Sequence, residues 1–124
     1  MILVDSSGWL EFLADGPLAG QYAAHLKDLE RVVTPTIVVY EVYKTMKRLR
    51  NEEDALLAAA QIGKTRIVPL TDTVALTAAD VSLAHRLAMA DAIVYATALI
   101  EGVKMVTSDA DFAGLPGVTY LKKP

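Results

Sequence analysis

Ile2-Leu3-Val4-Asp5-Ser6-Ser7 sets three aliphatic residues in a row directly before an acid and two hydroxyls. A strand with one solvated face alternates apolar and polar side chains; this one is apolar on both faces, as in a parallel sheet covered by helices on either side. Parallel strands need long crossovers, and the rest of the sequence supplies them. Ser6 or Ser7 is placed to cap a helix beginning near Gly8, which Gly16-Pro17 ends. A second helix is expected over about Leu18 to Leu29, with Tyr22, Leu26 and Leu29 on one face, followed by a short strand at Val32-Val33. Thr34-Pro35 reads as a cap and a first-turn proline. They open a helix through Ile37, Glu41, Tyr43, Met46 and Leu49, and Asn51 restarts one that runs to Ile62 before Gly63. Arg66 to Leu70 is a strand whose Pro69 confines it to a sheet edge or near one. Asp72 or Thr73 caps a helix to about Arg86, and Ala90 to Glu101, apolar nearly all round, is a buried helix closed by Gly102. Met105-Val106-Thr107 and Val118 to Leu121 complete the strands. Strands alternating with helices define the α/β class.

The chain has 124 residues, 53% hydrophobic and 22% charged, with no Cys. That size suits one domain spanning 1–124, and that balance excludes a disordered chain. The apolar run Leu87 to Ile100 is broken by Asp91 and is shorter than the roughly 18 residues a spanning helix needs, so no membrane partner is expected. Met1 to Val4 lacks a basic flank and Asp5 interrupts it, so no secretory signal is expected. Absent thiols exclude disulfides and thiolate metal sites and suit a cytoplasmic protein.

Four acids lie in apolar surroundings. Asp5 follows the first strand, and Asp109 follows Met105-Val106-Thr107 by way of Ser108; ligands of open α/β sheets bind beyond such carboxyl ends. Asp91 falls in the first turn of the buried helix, and Glu41 interrupts Ile37-Val38-Val39-Tyr40 and Val42-Tyr43. Singly, each acid could be a turn, a cap or a solvated position. Together, crowded carboxylates with no basic neighbour in sequence repel one another unless a divalent cation neutralises them. Oxygen donors without His or Cys point to Mg²⁺ or Mn²⁺ and away from Zn²⁺.

Val4-Asp5-Ser6-Ser7, Glu41 on the helix after Pro35, Asp91-Ala92 opening a buried helix, and Thr107-Ser108-Asp109-Ala110-Asp111-Phe112 resemble a PIN domain. The VapC group of toxin ribonucleases is the nearest resemblance, and it extends over the whole chain. It implies a three-layer α/β sandwich whose central, mainly parallel twisted sheet has four to five strands flanked by helices. By position it makes Asp5, Glu41, Asp91 and Asp109 the metal-binding catalytic acids, with Thr107 beside the site, Ser6 orienting Asp5, and Asp111 in a supporting place. It further implies a homodimer and a small VapB-like antitoxin that keeps the nuclease silent.

Phosphodiester cleavage by in-line attack requires a nucleophilic water and relief of charge on the leaving oxygen, both of which a two-metal site provides. The net charge of −3 is no obstacle to RNA binding, since cancelling the four acidic charges with two divalent ions leaves +1. Lys44, Lys47, Arg48 and Arg50 follow Glu41 on its helix and are candidates to hold the RNA backbone. Trp9 and Phe12 are expected in the core ahead of a base-stacking role, and Tyr40, Tyr43 and Tyr95 are expected in the core ahead of flanking a groove. Three other readings stay open. His25 and His85 could form a metal-free acid/base pair for RNA cleavage. A receiver-type phosphoacceptor shares the length and an Mg²⁺ site, although Asp5 is followed by Ser6-Ser7 instead of a second acid and no Lys follows the fourth strand. The same acids would also serve a PIN nuclease that processes RNA without being a toxin.

Overall fold

The computed structural model describes residues 1–124. Five strands, β1 (Ile2–Val4), β2 (Val32–Pro35), β3 (Arg66–Val68), β4 (Lys104–Thr107) and β5 (Val118–Tyr120), form one sheet in the order β3-β2-β1-β4-β5. Every pairing is parallel. Six helices fill the crossovers: α1 (Ser6–Leu13), α2 (Ala19–His25), α3 (Thr36–Leu49), α4 (Glu52–Ile62), α5 (Asp72–His85) and α6 (Met89–Glu101). The chain runs outward from β1 to β3 and then returns past β1 to β4. With right-handed crossovers, that reversal puts α1 to α4 on one face and α5 and α6 on the other. Neighbouring residues of β1 point to opposite faces, and Leu3 and Val4 are both fully buried, so both faces are covered. No single helix is long and apolar enough to cross a membrane.

β1 and β4 lie side by side with Leu3 opposite Met105 and Val4 opposite Val106. One residue further on, that register sets Asp5 beside Thr107 at the carboxyl end of the sheet, where the strand order reverses. β3 is an edge strand, as Pro69 requires. Gly102 closes α6 with φ of +65°, a left-handed conformation in which glycine carries no Cβ penalty.

Several boundaries differ from those expected, each because a side chain competes for the backbone. Neither Ser6 nor Ser7 caps α1; Asp5 does, accepting from Gly8 N–H, and the helix begins at Ser6. Thr34 is no cap either. It is a buried strand residue whose hydroxyl meets that of Thr65 at 2.7 Å; the Thr65 proton is committed to Ile62 C=O, so Thr34 is the donor. The second helix stops at His25, because Asp28 accepts from Glu30 N–H and starts a separate 3₁₀ turn over Leu29–Arg31. Thr71, ahead of Asp72 and Thr73, caps α5 through Val74 N–H.

Trp9 is fully buried and meets half-buried Phe12 edge-on at 6.3 Å. Tyr95 is buried and donates to Pro116 C=O at 2.7 Å. Tyr40, by contrast, is 60% exposed, so the expected core role fails for it; it lies on the outer face of α3, while Tyr43 packs partly against the core.

Glu11 on α1 is buried and accepts from Leu18 N–H at 3.0 Å, and Lys123 stands 3.3 Å from its other oxygen. The Leu18 N–H and then Lys123 hold its carboxyl below the ordinary value against the cost of burial. Gly16 lies so close that a Cβ there would overlap the Glu11 carboxylate. Gly16→Ala must therefore break the bond to Leu18. A charge-assisted hydrogen bond of this kind is worth about 2 kcal/mol, and thermal unfolding should show that loss.

Candidate active site

Asp5, one residue past β1, is only 4% exposed and fully engaged. Its Oδ1 accepts from Ser7 Oγ at 2.7 Å and from Gly8 N–H at 3.2 Å, and its Oδ2 accepts from Thr107 Oγ1 at 2.7 Å. Burial pushes the Asp5 carboxyl up, opposed by the bonds from Thr107, Ser7 and Gly8 and reinforced by the charge of Asp109. Thr107 also accepts Asp109 N–H at 2.9 Å, which ties the turn after β4 to the same centre. Asp109 in turn caps a short 3₁₀ turn, Ala110–Phe112, by accepting from Asp111 N–H at 2.9 Å.

Asp91 stands in the first turn of α6. One oxygen each from Asp91, Asp109 and Asp111 lie within 4.8 Å of one another. Burial raises the Asp91 carboxyl to about 6, and Asp109, Asp111, Glu41 and Asp5 push the same way. Glu41, facing inward from α3, is also raised, first by burial and then by Asp5 and Asp109, with the Ser6 hydroxyl opposing. Five carboxylates from four separate stretches of chain thus act on one another at one end of the sheet.

The four acids singled out in the sequence do converge, but the tightest group is not those four. Asp111, expected only in support, belongs to it, while Asp5 and Glu41 stand just outside. Ser7, and not Ser6, donates to Asp5; Ser6 faces Glu41. Three further members carry no sequence signal of their own: Ser7, Ser108 and Tyr22. Ser108 N–H donates to Ser7 Oγ at 3.0 Å, and the Ser108 hydroxyl meets Tyr22 Oη at 2.7 Å. Burial raises the Tyr22 phenol to about 12, so it is protonated at neutral pH.

Among the basic candidates, Lys44, Lys47 and Arg48 line a groove of about 740 Å³ on α3 with Thr36, Val39, Tyr40 and Tyr43. Lys44 and Arg48 also border a smaller cleft that includes Glu41. Arg50 is set apart, beside Leu13, Met46, Asp54 and Leu57. Lys47 is partly engaged by Glu52 at 3.4 Å. His85 packs edge-on against Tyr95, whereas His25 lines a cleft with Met1, Lys27 and Arg31 at the opposite end of the sheet, so they form no acid/base pair.

The residues present suit a divalent cation. All donors are oxygens, and none of the five acids forms an ion pair with Lys or Arg, the chain's three ion pairs lying elsewhere. Uncompensated carboxylates this close favour either protons or a cation.

An open parallel sheet in this strand order, with acids gathered at its switch point, defines the class. The chain belongs to the PIN domain family, which it matches over residues 2–118. The order β3-β2-β1-β4-β5 also departs from the 2-1-3-4-5 order of flavodoxin-like signalling folds, which removes the receiver reading.

Among solved structures, a toxin-antitoxin complex from Klebsiella pneumoniae superposes with a TM-score of 0.82 at 22% identity, covering 99% of this chain and 100% of that one. Mycobacterium tuberculosis VapC20, described as a sarcin-ricin loop cleaving toxin, gives 0.78 at 22% identity, covering 95% and 97%. FitAcB from Neisseria gonorrhoeae gives 0.74 at 26% identity, covering 95% and 96%. Likeness at these identities establishes a shared fold. No curated protein matches the chain by sequence.

Proposed function

We propose that this protein is a Mg²⁺- or Mn²⁺-dependent endoribonuclease and the toxin of a toxin-antitoxin pair. The observation that carries the reading is the meeting of five carboxylates, none neutralised by a basic side chain, beyond the carboxyl ends of β1 and β4. Asp91, Asp109 and Asp111 would hold the cation, with Asp5 and Glu41 completing its surroundings. A divalent cation bound there supplies Lewis-acid polarisation of the scissile phosphate and activation of the attacking water. Asp5, fixed at both oxygens by Ser7, Gly8 and Thr107, gives the site a rigid anionic floor. Glu41 is placed to orient the water and accept its proton.

RNA is held, in this reading, by Lys44 and Arg48, one turn apart on α3 and adjoining Glu41, with Lys47 beside them; Arg50, past the end of α3, faces a separate cleft with Met46 and Asp54. Replacing Lys44 and Arg48 together by Gln should weaken RNA binding and lower the slope of log affinity against log salt by roughly 1.4, at about 0.7 per single-strand phosphate contact. A filter-binding titration over several salt concentrations measures it. An unchanged slope would return both residues to a solvated helix face.

Apolar surface supports two protein partners, a second copy and a VapB-like antitoxin. Leu76, Leu83 and Met89 on α5 and α6, and Leu49, Leu56 and Leu57 on α3 and α4, are each more than half exposed. The toxin-antitoxin complex from Klebsiella pneumoniae and the toxin VapC20 fit that reading, and a cytoplasmic setting goes with it.

Incubation of the purified protein with total RNA, with and without Mn²⁺, tests the activity. Cut ends should carry 5′-phosphate and 3′-hydroxyl groups and depend on the cation; cyclic phosphate ends would refute the mechanism. Growth arrest on expression, relieved by the cognate antitoxin, would separate a toxin from an RNA-processing nuclease.

A further inference from the structure

We propose that Tyr22 is a positioning residue of the acidic site, acting through Ser108 and Ser7 on the Asp5 carboxylate and on the turn that carries Asp109. Tyr22 stands on α2, fully buried, and touches none of the five acids by hydrogen bond. Its hydroxyl meets Ser108 Oγ at 2.7 Å, and this is the Ser108 hydroxyl's one hydrogen-bond partner in the protein. Ser108 N–H donates to Ser7 Oγ at 3.0 Å, and Ser7 donates to Asp5 Oδ1 at 2.7 Å. Three bonds therefore link the phenol to the carboxylate. A second branch, from Asp109 N–H to Thr107 and from Thr107 to Asp5 Oδ2, closes on the same residue. Ser108 sits between Thr107 and Asp109, so fixing it fixes both branches.

The path of the ring is built into α1. A Cβ on Gly8 would overlap Tyr22 Cε1 and lie 2.9 Å from Cζ and 2.7 Å from Val4 Cγ1. Only glycine leaves room for the ring to reach Ser108, and the same residue's N–H holds Asp5 Oδ1 at 3.2 Å. A phenylalanine would fill this space equally well. Burying a hydroxyl in the core is costly unless it is bonded, so the phenol is accounted for by its bond to Ser108. Groups that orient cation ligands from behind typically change cation affinity or activity by about 10- to 100-fold when removed.

The proposal rests on the nuclease reading only for the activity it affects. Tyr22→Phe and Ser108→Ala sever the same bond from its two ends. In each variant, with Tm close to the parent's, amide hydrogen exchange at positions 108 and 109 should quicken. Mn²⁺ affinity by calorimetry and kcat on RNA should each fall about 10-fold, with KM unchanged. Because both act through one bond, the double variant should be no worse than either single. Parental exchange and Mn²⁺ affinity in Tyr22→Phe, or full additivity in the double variant, would make Tyr22 a packing residue and overturn the proposal. Should Tyr22→Phe fail to fold, Ser108→Ala decides by the same readouts. A parent protein that cleaves no RNA overturns the nuclease reading alone, and hydrogen exchange at Ser108 and Asp109 still decides the role of Tyr22.

Discussion

Asp5→Asn is expected to abolish RNA cleavage, by three orders of magnitude or more, while the protein stays folded. A loss of that size corresponds to about 4 kcal/mol of barrier. Asparagine is isosteric and keeps one carbonyl oxygen, which can still accept from Ser7 and Gly8 N–H and so preserve the cap of α1. It removes the negative charge that burial already penalises. Stability should thus change little, since relief from a buried charge offsets the loss of the bond from Thr107, whose hydroxyl cannot donate to the amide nitrogen. Chemistry should change greatly, because the neutral amide neither attracts a cation nor repels Asp109. Turnover on a labelled RNA and far-ultraviolet circular dichroism, measured on the same preparation, separate the two effects. Collapse of the helical signal would mean that Asp5 serves the fold.

Chelation should silence the enzyme as completely, and its effect on stability should depend on pH. Asp91 titrates near 6 in the folded chain against an ordinary 3.8. Its folded state therefore binds a proton more tightly than the unfolded state does. The stability this contributes is fully present below about pH 4 and is lost as pH rises through 6. Asp91 is partly exposed, so solvent screening reduces the penalty to about 1 kcal/mol. A divalent cation at 100 times its dissociation constant adds about 2.7 kcal/mol of stability, and it must displace the proton to do so. Mn²⁺ should consequently raise Tm by several degrees at pH 7.5 and far less at pH 5, and EDTA should reverse the rise. Equal shifts at both pH values, or cleavage that persists in EDTA, would contradict a carboxylate-held cation.

Much of this site was legible in the sequence because a charge inside an apolar run stands out. Glu41 and Asp91 each break such a run, Asp5 and Asp109 each follow an apolar strand, and the strand order then brings all four to one end of the sheet. Hydroxyl groups give no comparable contrast: Ser7, Ser108 and Thr107 suit a cap, a turn or a strand equally well. That is why Ser6 stood in for Ser7, and why Tyr22, rightly set on the apolar face of α2, gave no sign of its hydroxyl's bond to Ser108. Helix caps went astray for a related reason, since at Asp5 and at Thr71 several polar residues in succession could each have served. Arg50 is different: it follows the last residue of α3 with φ of −124° and ψ of −98°, outside helical geometry, so it leaves the face that Lys44 and Arg48 share. Asp111 could be placed only by the 3₁₀ turn that swings it back toward Asp91.

The contact between Thr107 and Asp5 spans 102 positions of chain. During translation the first half of the centre leaves the ribosome long before the second exists, and no nascent fragment short of β4 can assemble it. Parallel pairing of such distant segments also forms slowly. The acidic centre is therefore a late product of folding, absent until β4 has docked against β1.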